Sequence, residues 1–530
     1  MVTAASVRTR RTSVVAASAA APPAAMAGDL RPAAPRLWRL MRLIGCLGVL
    51  AVLSTFAVTS APSPPTVAPD ALPEGQGVSR SAAGATAADG GGPDRPLRVY
   101  MAPLPREFDM DADEFLYLFG DDLHLPDRTG FGRPMRLSNP HLRRTGQFAA
   151  EVLFRNLIEN GPLLVDTIEQ ADIVWVPVGF GNMYMAEKRR GRSLVEAFKR
   201  IRSFFDHVMS NGTFLPYLEQ LPHVILLGRV ARDYDEPFKH PAAHKFLFAS
   251  IEVPMQWQIK NVIPTMVGIP YPTAVHYSDQ WWPEYSKEQA DAFVETKFMP
   301  VSMTFGPRQW RPIRQRLATE CQEFGPEECL LIQIDPSLFD YNITQYEEMQ
   351  NITQVSWLSV QPMGDTPTRR SMYESMLTGT VPVLFNDTLL YDLAFADVID
   401  YRKLVVMARA TTVLERTEEK MEARMGPSKP YPKVGLNFTI NDTITSMLRL
   451  VRHHRDFLVD KVHELLKVRH LFQYALDPHF ELITPARRNL TEPRDDAFTS
   501  SMKAIMRKLC DAPHGLPAKL PLMPTSRCSI

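Results

Sequence analysis

The segment from Gln361 to Phe385 combines residue types and spacings that can bind a nucleotide diphosphate. A glycine lets the backbone approach a ligand closely, a threonine can cap the helix that follows, and the exposed amides at that helix start favour an anion. Two consecutive arginines add guanidinium groups suited to phosphate oxygens. The candidate nucleotide-binding residues are Gly364, Asp365, Thr366, Thr368, Arg369, Arg370 and Glu374.

Glu374 has the spacing expected of a ribose-binding residue. It follows Gly364 by ten residues, about two and a half helical turns, and its carboxylate can accept hydrogen bonds from the two ribose hydroxyls. Gly379 then ends the predicted helix, and residues 381–385 form an apolar run typical of a buried parallel strand. An ordinary connection from helix to strand with surface arginines would give a similar pattern.

Apolar runs and amphipathic helices alternate around this segment and predict an α/β fold. In the first part of the chain, predicted strands at 98–104, 171–178 and 223–228 alternate with predicted helices at 147–160 and 194–208. This alternation predicts a doubly wound parallel sheet over residues 97–297. A second α/β domain, residues 298–475, contains the nucleotide segment, helices at 311–323 and 444–469, and a strand at 404–407. Residues 476–530 are a C-terminal extension.

The N-terminal part of the chain predicts a membrane anchor and a stem. Residues 43–61 carry no charge, and this length suffices to cross a bilayer as a helix. Arginines precede the segment, so residues 1–42 are expected in the cytosol and the rest beyond the membrane, as in a type II protein. Residues 62–96 are rich in Pro, Ala, Ser and Gly, which predicts a disordered stem. A cleaved signal peptide and an organelle transit peptide are the alternatives.

Sequons and cysteines favour the secretory route. Seven of the twelve asparagines stand in Asn-x-Thr sequons, whereas random placement gives only about one or two. These are Asn211, Asn342, Asn351, Asn386, Asn437, Asn441 and Asn489, of which Asn386 is expected to be the least accessible. The four cysteines after the predicted anchor are Cys321, Cys329, Cys510 and Cys528. They allow three pairings; a local Cys321–Cys329 disulfide is the preferred one, and free thiols are the alternative.

Overall composition is that of an ordinary globular protein of more than one domain. The chain has 530 residues, of which 45% are hydrophobic and 22% are charged. Its 59 basic and 59 acidic residues balance, so no electrostatic footprint for nucleic acid is predicted. The overlapping Asp-x-Asp pairs at 109–113 are typical of solvated acidic loops, and no metal site is predicted.

A series of motifs spread over about residues 97–505 resembles one known family. They are RVYMAPLPREF at 98–108, QFAAEVLF at 147–154, ADIVWVPV at 171–178, GRVARDY at 228–234, IPYPTAVHY at 269–277, GDTPTRRSMYESMLTGTVPVLF at 364–385 and DAF at 496–498. Their order and spacing resemble the exostosin-type glycosyltransferases (GT47-like), and most closely the plant xyloglucan galactosyltransferase-like branch. Three positions depart from that pattern: Thr380 replaces a usual Cys, Glu374 a frequent Asp, and Arg232 a frequent Trp.

The resemblance implies a GT-B architecture, in which two Rossmann-like domains face a cleft. It implies a nucleotide sugar, UDP-linked, on the second domain, a glycan acceptor on the first, inversion at the anomeric carbon and no obligatory metal or other cofactor. The implied protein is a Golgi type II enzyme that acts on a polysaccharide or a glycoprotein glycan, alone or in an oligomer with other glycosyltransferases. A catalytically silent partner subunit is the alternative, and the retained Arg369, Arg370 and Glu374 argue against it.

Inverting transfer requires a general base that takes a proton from the acceptor hydroxyl. Asp233 and Glu252 are candidates because each follows a predicted strand, where a carboxylate can project into a cleft. His276 is a third candidate. Arg229 can clamp phosphate or bind Asp233. For both acids, a structural salt bridge or simple exposure is an equally ordinary interpretation.

Overall fold

Two six-stranded β-sheets organise the described part of the chain, as seen in a computed structural model. The structure describes residues 97–109, 130–132, 134–136, 139–146, 149–210, 215–253, 265–276, 285–305, 312–332, 343–364, 368–385, 389–409, 439–475 and 495–510. All of them belong to one compact unit, Ala87–Ile530. The predicted cytosolic tail, membrane anchor and stem lie outside the described residues. No helix among the described residues is long and apolar enough to cross a membrane.

Short apolar runs form the strands of the first half. They are β1 (Val99–Met101), β2 (Pro134–Arg136), β3 (Asn139–Arg143), β4 (Leu164–Val165), β5 (Ile173–Val176), β6 (His223–Leu227), β7 (Leu247–Ser250) and β8 (Met266–Gly268). Six of them form a sheet in the order β4-β1-β5-β6-β7-β8, in which every neighbouring pair is parallel. Strands β2 and β3 form a separate antiparallel pair. The central strands β5, β6 and β7 are buried along their whole length, as in a sheet with both faces covered.

Amphipathic helices connect these strands. They are α1 (Ala150–Glu159), α2 (Phe180–Arg189), α3 (Leu194–Ser210), α4 (Leu215–Leu218) and α5 (Asp235–Phe238). Helix α6 (Lys287–Glu295) follows β8 and leads to the second half. In α3 the buried residues recur at helical spacing: Ala197, Ile201, Phe204, Phe205 and Val208. The strands and helices predicted for this half are confirmed, and most of them are shorter at their ends than the apolar pattern indicated.

The second half repeats the topology of the first. Its strands are β9 (Met299–Thr304), β10 (Cys329–Ile332), β11 (Ser356–Val360), β12 (Val381–Leu384), β13 (Val406–Arg409) and β14 (Thr439–Asn441). They form a parallel sheet in the order β10-β9-β11-β12-β13-β14. In both sheets the first strand lies between the second and the third. The chain therefore turns in opposite directions on the two sides of β9, which creates a crevice at the carboxyl ends of β9 and β11.

The helices of the second half are α7 (Pro312–Phe324), α8 (Ile343–Val355), α9 (Arg370–Leu377), α10 (Leu389–Asp392), α11 (Ile444–His453), α12 (Arg455–Val468) and α13 (Ala497–Cys510). The prediction of one helix over 444–469 is wrong, because the backbone leaves helical geometry at His454, with φ −135° and ψ 45°. The apolar residues keep helical spacing on both sides of this break, so periodicity alone could not locate it.

Helix α13 brings the end of the chain back to the first half. The ring centroids of Phe498 and Phe154 are 5.2 Å apart, and Phe154 stacks on Trp175 at 5.6 Å. Tyr474, near the end of the second half, also contacts the first half: its hydroxyl donates a hydrogen bond of 2.9 Å to the carbonyl of Pro270. The core of the first half is therefore completed by residues from the C-terminal end.

A disulfide joins α7 to β10 within the second half. It links Cys321 and Cys329, which confirms the preferred local pairing. Cys510 is also disulfide-bonded, whereas Cys528 lies outside the described residues.

Candidate functional site

The predicted nucleotide segment lies at the crevice between β9 and β11. Gln361 directly follows β11, and a polar network around its side chain fastens α9 to that strand. Its amide donates to Ser359 Oγ at 2.8 Å and to Ser375 Oγ at 3.0 Å, and it accepts from Ser371 Oγ at 2.8 Å. All three partners are buried or partly buried hydroxyls, so the start of α9 is positioned against the end of the strand.

Glu374 is buried on α9 and its two carboxylate oxygens differ. Oε1 accepts hydrogen bonds from the Tyr346 hydroxyl at 2.6 Å and from Arg370 Nε at 2.7 Å. The Gln350 amide donates to the Tyr346 oxygen at 2.8 Å, so the phenol proton is directed to the carboxylate. No described residue donates a hydrogen bond to Oε2. One oxygen thus fixes the side chain, and the other can accept from a ligand hydroxyl.

Arg370 is bound on two sides. Its side chain is 6% exposed, as is that of Glu374, to which it is paired. Its Nη1 donates a hydrogen bond of 2.9 Å to the carbonyl of Thr145, which belongs to the first half. The guanidinium therefore connects α9 to the first half, and a phosphate contact of Arg370 stays a prediction.

Arg369 lies beside the crevice. Its guanidinium donates to the carbonyls of Pro362 at 3.1 Å and Thr304 at 3.3 Å, the latter being the last residue of β9. Arg369 is also the N-cap of α9, and its side chain makes no capping hydrogen bond to the described start of the helix. The sequence left Thr366 or Thr368 as the capping threonine; the Thr368 alternative is wrong, because the N-cap is Arg369 and the Thr368 hydroxyl donates to Glu252. Asp365 and Thr366 lie outside the described residues.

Glu252 brings a carboxylate of the first half to the nucleotide segment. It follows β7, is 7% exposed, and its Oε1 accepts from the hydroxyls of Tyr271, at 3.2 Å, and Thr368. Burial, followed by the charge of Glu252, raises the pKa of Tyr271 well above its usual range, so the phenol stays protonated and donates. A candidate base and the start of α9 are therefore in direct contact.

Asp233 is bound by Arg229, one of the two roles that the sequence left open for that arginine. Arg229 Nε lies 3.0 Å from Asp233 Oδ2, and the two side chains are only 13% and 17% exposed. The guanidinium carbon of Arg229 also stacks 4.1 Å from the centre of the Tyr184 ring. Among the described residues, no contact joins Asp233 to Glu252 or to the nucleotide segment.

His276 is fully buried, and both ring nitrogens have protein partners. Nδ1 lies 2.7 Å from the carbonyl oxygen of Tyr474, and Nε2 lies 2.6 Å from Thr145 Oγ1. Burial, with the nearby charges of Arg143 and Arg370, lowers the pKa of His276 to about 3, although the Tyr474 carbonyl opposes this. The ring is therefore neutral, donates from Nδ1, and links segments that are far apart in the chain.

Sequence reasoning missed Tyr271, Tyr346 and a buried acid, Glu151. The Glu151 carboxylate accepts from the amides of Gly181 at 2.7 Å, Gly228 at 2.9 Å and Asn182 at 3.0 Å. Burial raises its pKa to about 7 despite these bonds. An acidic residue inside the apolar run AAEVLF was the available signal. The two tyrosines gave none, because their partners are distant in sequence.

The central part of the chain matches a known domain. The exostosin GT47 domain matches residues 93–421, more than half of the chain. A structure of Anabaena Alr3699/HepE in complex with UDP and glucose is 10% identical, with 64% of this chain and 81% of that chain covered and a TM-score of 0.26. A TM-score this low supports no argument.

Three relatives from Arabidopsis thaliana each match about half of this chain. Probable xyloglucan galactosyltransferase GT17 is 25% identical over 56% of this chain and 66% of its own length. Xyloglucan galactosyltransferase MUR3 is 24% identical over 54% of this chain and 48% of its own. Xyloglucan-specific galacturonosyltransferase 1 is 22% identical, over 54% and 43%. The chain thus spans 43% to 66% of the length of these relatives. From the domain match, the chain belongs to the exostosin GT47 family.

Proposed function

We propose that the protein is an inverting glycosyltransferase of GT-B architecture. It transfers a sugar from a UDP-linked donor to a polysaccharide or a glycoprotein glycan. The observation that carries this proposal is the contact between Glu252 and Thr368, since it joins a carboxylate of the first half to the start of the predicted donor helix. Family membership supports the reaction class, and the names of the relatives support a glycan acceptor.

Each part of the site has a role in this proposal. Glu374 Oε2 accepts hydrogen bonds from the ribose hydroxyls, while Arg369 and the amides at the start of α9 bind the diphosphate. Glu252 takes the proton of the acceptor hydroxyl, whose oxygen attacks the anomeric carbon. The bond from that carbon to the diphosphate oxygen breaks on the opposite face, and its electrons leave with UDP. Arg369 stabilises the charge that develops on this leaving group.

The purified full-length chain is expected to bind UDP more tightly than uridine, because only UDP carries the charge that a guanidinium can pair with. Calorimetry with UDP, uridine, UDP-galactose and UDP-galacturonate measures this directly. Release of UDP from one of the sugar nucleotides, with inversion at the anomeric carbon of the product by NMR, would establish the reaction. A chain that binds no nucleotide would contradict the proposal and favour the silent partner subunit.

We further propose that the protein works in the secretory pathway, as a Golgi type II protein anchored through residues 43–61. A disulfide between Cys321 and Cys329 supports an oxidising compartment. Two of the predicted glycan acceptors, Asn351 on α8 and Asn441 at the end of β14, have exposed side chains. The lumenal enzyme that attaches N-glycans to proteins can reach an acceptor asparagine only if its side chain is exposed.

Endoglycosidase treatment of the full-length chain from plant cells is expected to lower its apparent mass. The variants Asn351→Gln and Asn441→Gln test the two exposed sites, and each is expected to remove one step of that shift. A matched control is Asn156→Gln, since Asn156 is buried on α1 and stands outside any sequon. If the untreated and treated chains had the same mass and the protein were found in plastids, the secretory assignment would be wrong.

A further inference from the structure

Arg314, a residue that the sequence did not single out, reaches the nucleotide segment from α7. It is 5% exposed, and its Nε donates a hydrogen bond of 2.8 Å to the carbonyl of Met363. Its Nη2 lies 3.5 Å from the carbonyl of Pro362. Met363 directly precedes Gly364, the glycine expected to approach the ligand. Arg314 therefore fixes the turn at the point where the backbone would meet a donor.

Arg314 and Arg369 converge on the same two features. Both donate to the carbonyl of Pro362, and both guanidinium groups approach the ring of Phe305, with centroid distances of 5.5 Å for Arg314 and 5.9 Å for Arg369. Phe305 directly follows β9 and is 1% exposed. Arg314 belongs to α7 and Arg369 precedes α9, and the two guanidinium groups meet at the ring of Phe305.

The place where they meet is the crevice defined by the strand order. Phe305 lies at the carboxyl end of β9, and Pro362 and Met363 follow the carboxyl end of β11, its parallel neighbour. In open parallel sheets, ligands bind at this kind of crevice.

We propose that Arg314 is a positioning residue of the donor diphosphate site. It holds the Pro362–Met363 turn in the shape that receives the diphosphate, and its charge adds to that of Arg369. This inference rests on the proposed nucleotide-sugar function. It adds Arg314 of α7 to the cationic residues that the sequence predicted for this site, of which Arg370 is bonded to Glu374 and to the carbonyl of Thr145.

The test compares Arg314→Gln and Arg314→Lys in the full-length chain, with UDP and uridine as probes. Arg314→Gln removes the charge and is expected to weaken UDP binding roughly tenfold or more, because charged hydrogen bonds contribute that much. Arg314→Lys retains the charge and is expected to recover part of that loss. Uridine binding should stay the same in both variants, so the ratio of UDP to uridine affinity falls. A residue with a purely structural role would weaken both probes equally.

Arg316→Lys is the matched control. Arg316 lies on the same helix, and its guanidinium is bonded to Glu320 at 2.7 Å and Asp442 at 2.8 Å, away from the turn. It is expected to leave the ratio of affinities unchanged. Wild-type protein that binds UDP, together with an Arg314→Gln variant whose ratio is unchanged, would overturn this inference alone. Wild-type protein that binds neither probe would overturn the proposed function as well.

Discussion

Replacing Glu374 with alanine is expected to destabilise the protein by about 3–5 kcal/mol, because removing one partner of a buried ion pair leaves the other charge uncompensated. Both side chains of the Arg370–Glu374 pair are 6% exposed, so water cannot replace the lost carboxylate. Urea unfolding measures the difference. Asp291→Ala is the matched control, since Asp291 forms the same type of i, i+4 pair with Lys287 on an exposed surface, where it also contacts His463, and its loss should be much smaller because water solvates the remaining charge. Equal losses in both variants would contradict the prediction.

The conservative variant Glu374→Gln separates ribose binding from stability. We expect wild-type protein to bind UDP more tightly than 2′-deoxy-UDP, and the variant to bind both with similar affinity. The loss for UDP should be about 1.5–3 kcal/mol, roughly ten- to hundredfold, because the acceptor is charged. A variant that still distinguishes the two nucleotides would place the ribose elsewhere.

Replacing Glu252 with glutamine is expected to lower turnover about a hundredfold or more while donor affinity is retained, since general-base assistance typically contributes that much. Glutamine keeps an acceptor oxygen for the hydroxyls of Tyr271 and Thr368, so the local structure should survive. Release of UDP from the donor in the presence of a glycan acceptor and UDP affinity by calorimetry give the two readouts.

Asp233→Asn provides the comparison for Glu252. Asp233 is paired with Arg229 and has no contact with the nucleotide segment among the described residues, so its variant should retain most of the turnover. If Asp233→Asn lost turnover and Glu252→Gln did not, the base would be Asp233. If both variants kept full turnover, neither acid would be the base.

Local features of the fold could be predicted from the sequence, because they depend on neighbouring residues. The run of β5 is entirely apolar, that of β6 is apolar after His223, and α3 shows its buried stripe directly in its spacing. The break at His454 escaped prediction because the apolar stripe continues across it. Amphipathicity reports which face is buried and does not report whether the backbone is continuous.

The sequence indicated which residue types the candidate site contains. It did not indicate which groups those residues would hydrogen-bond in the folded chain. Glu374 and Arg369 were identified from spacing after Gly364. The partner of Arg370, the carbonyl of Thr145, lies 225 residues away, and the hydroxyl of Thr368 binds Glu252, 116 residues away, instead of capping its own helix. Such contacts depend on how the two sheets pack together, which periodicity does not encode. Arg314 was missed for the same reason.

Helix α13 sets a limit on how this protein can be divided. The polypeptide leaves the first half after β8, builds the second sheet, and returns to lay Phe498 on Phe154. The fully buried residues Ala497, Ile505 and Leu509 lie on the same returning helix. A fragment that ends between the two sheets would lack this cover and expose aromatic surface to water. The first half is therefore not a contiguous stretch of sequence, and exchanging the second half between relatives requires two junctions in the gene.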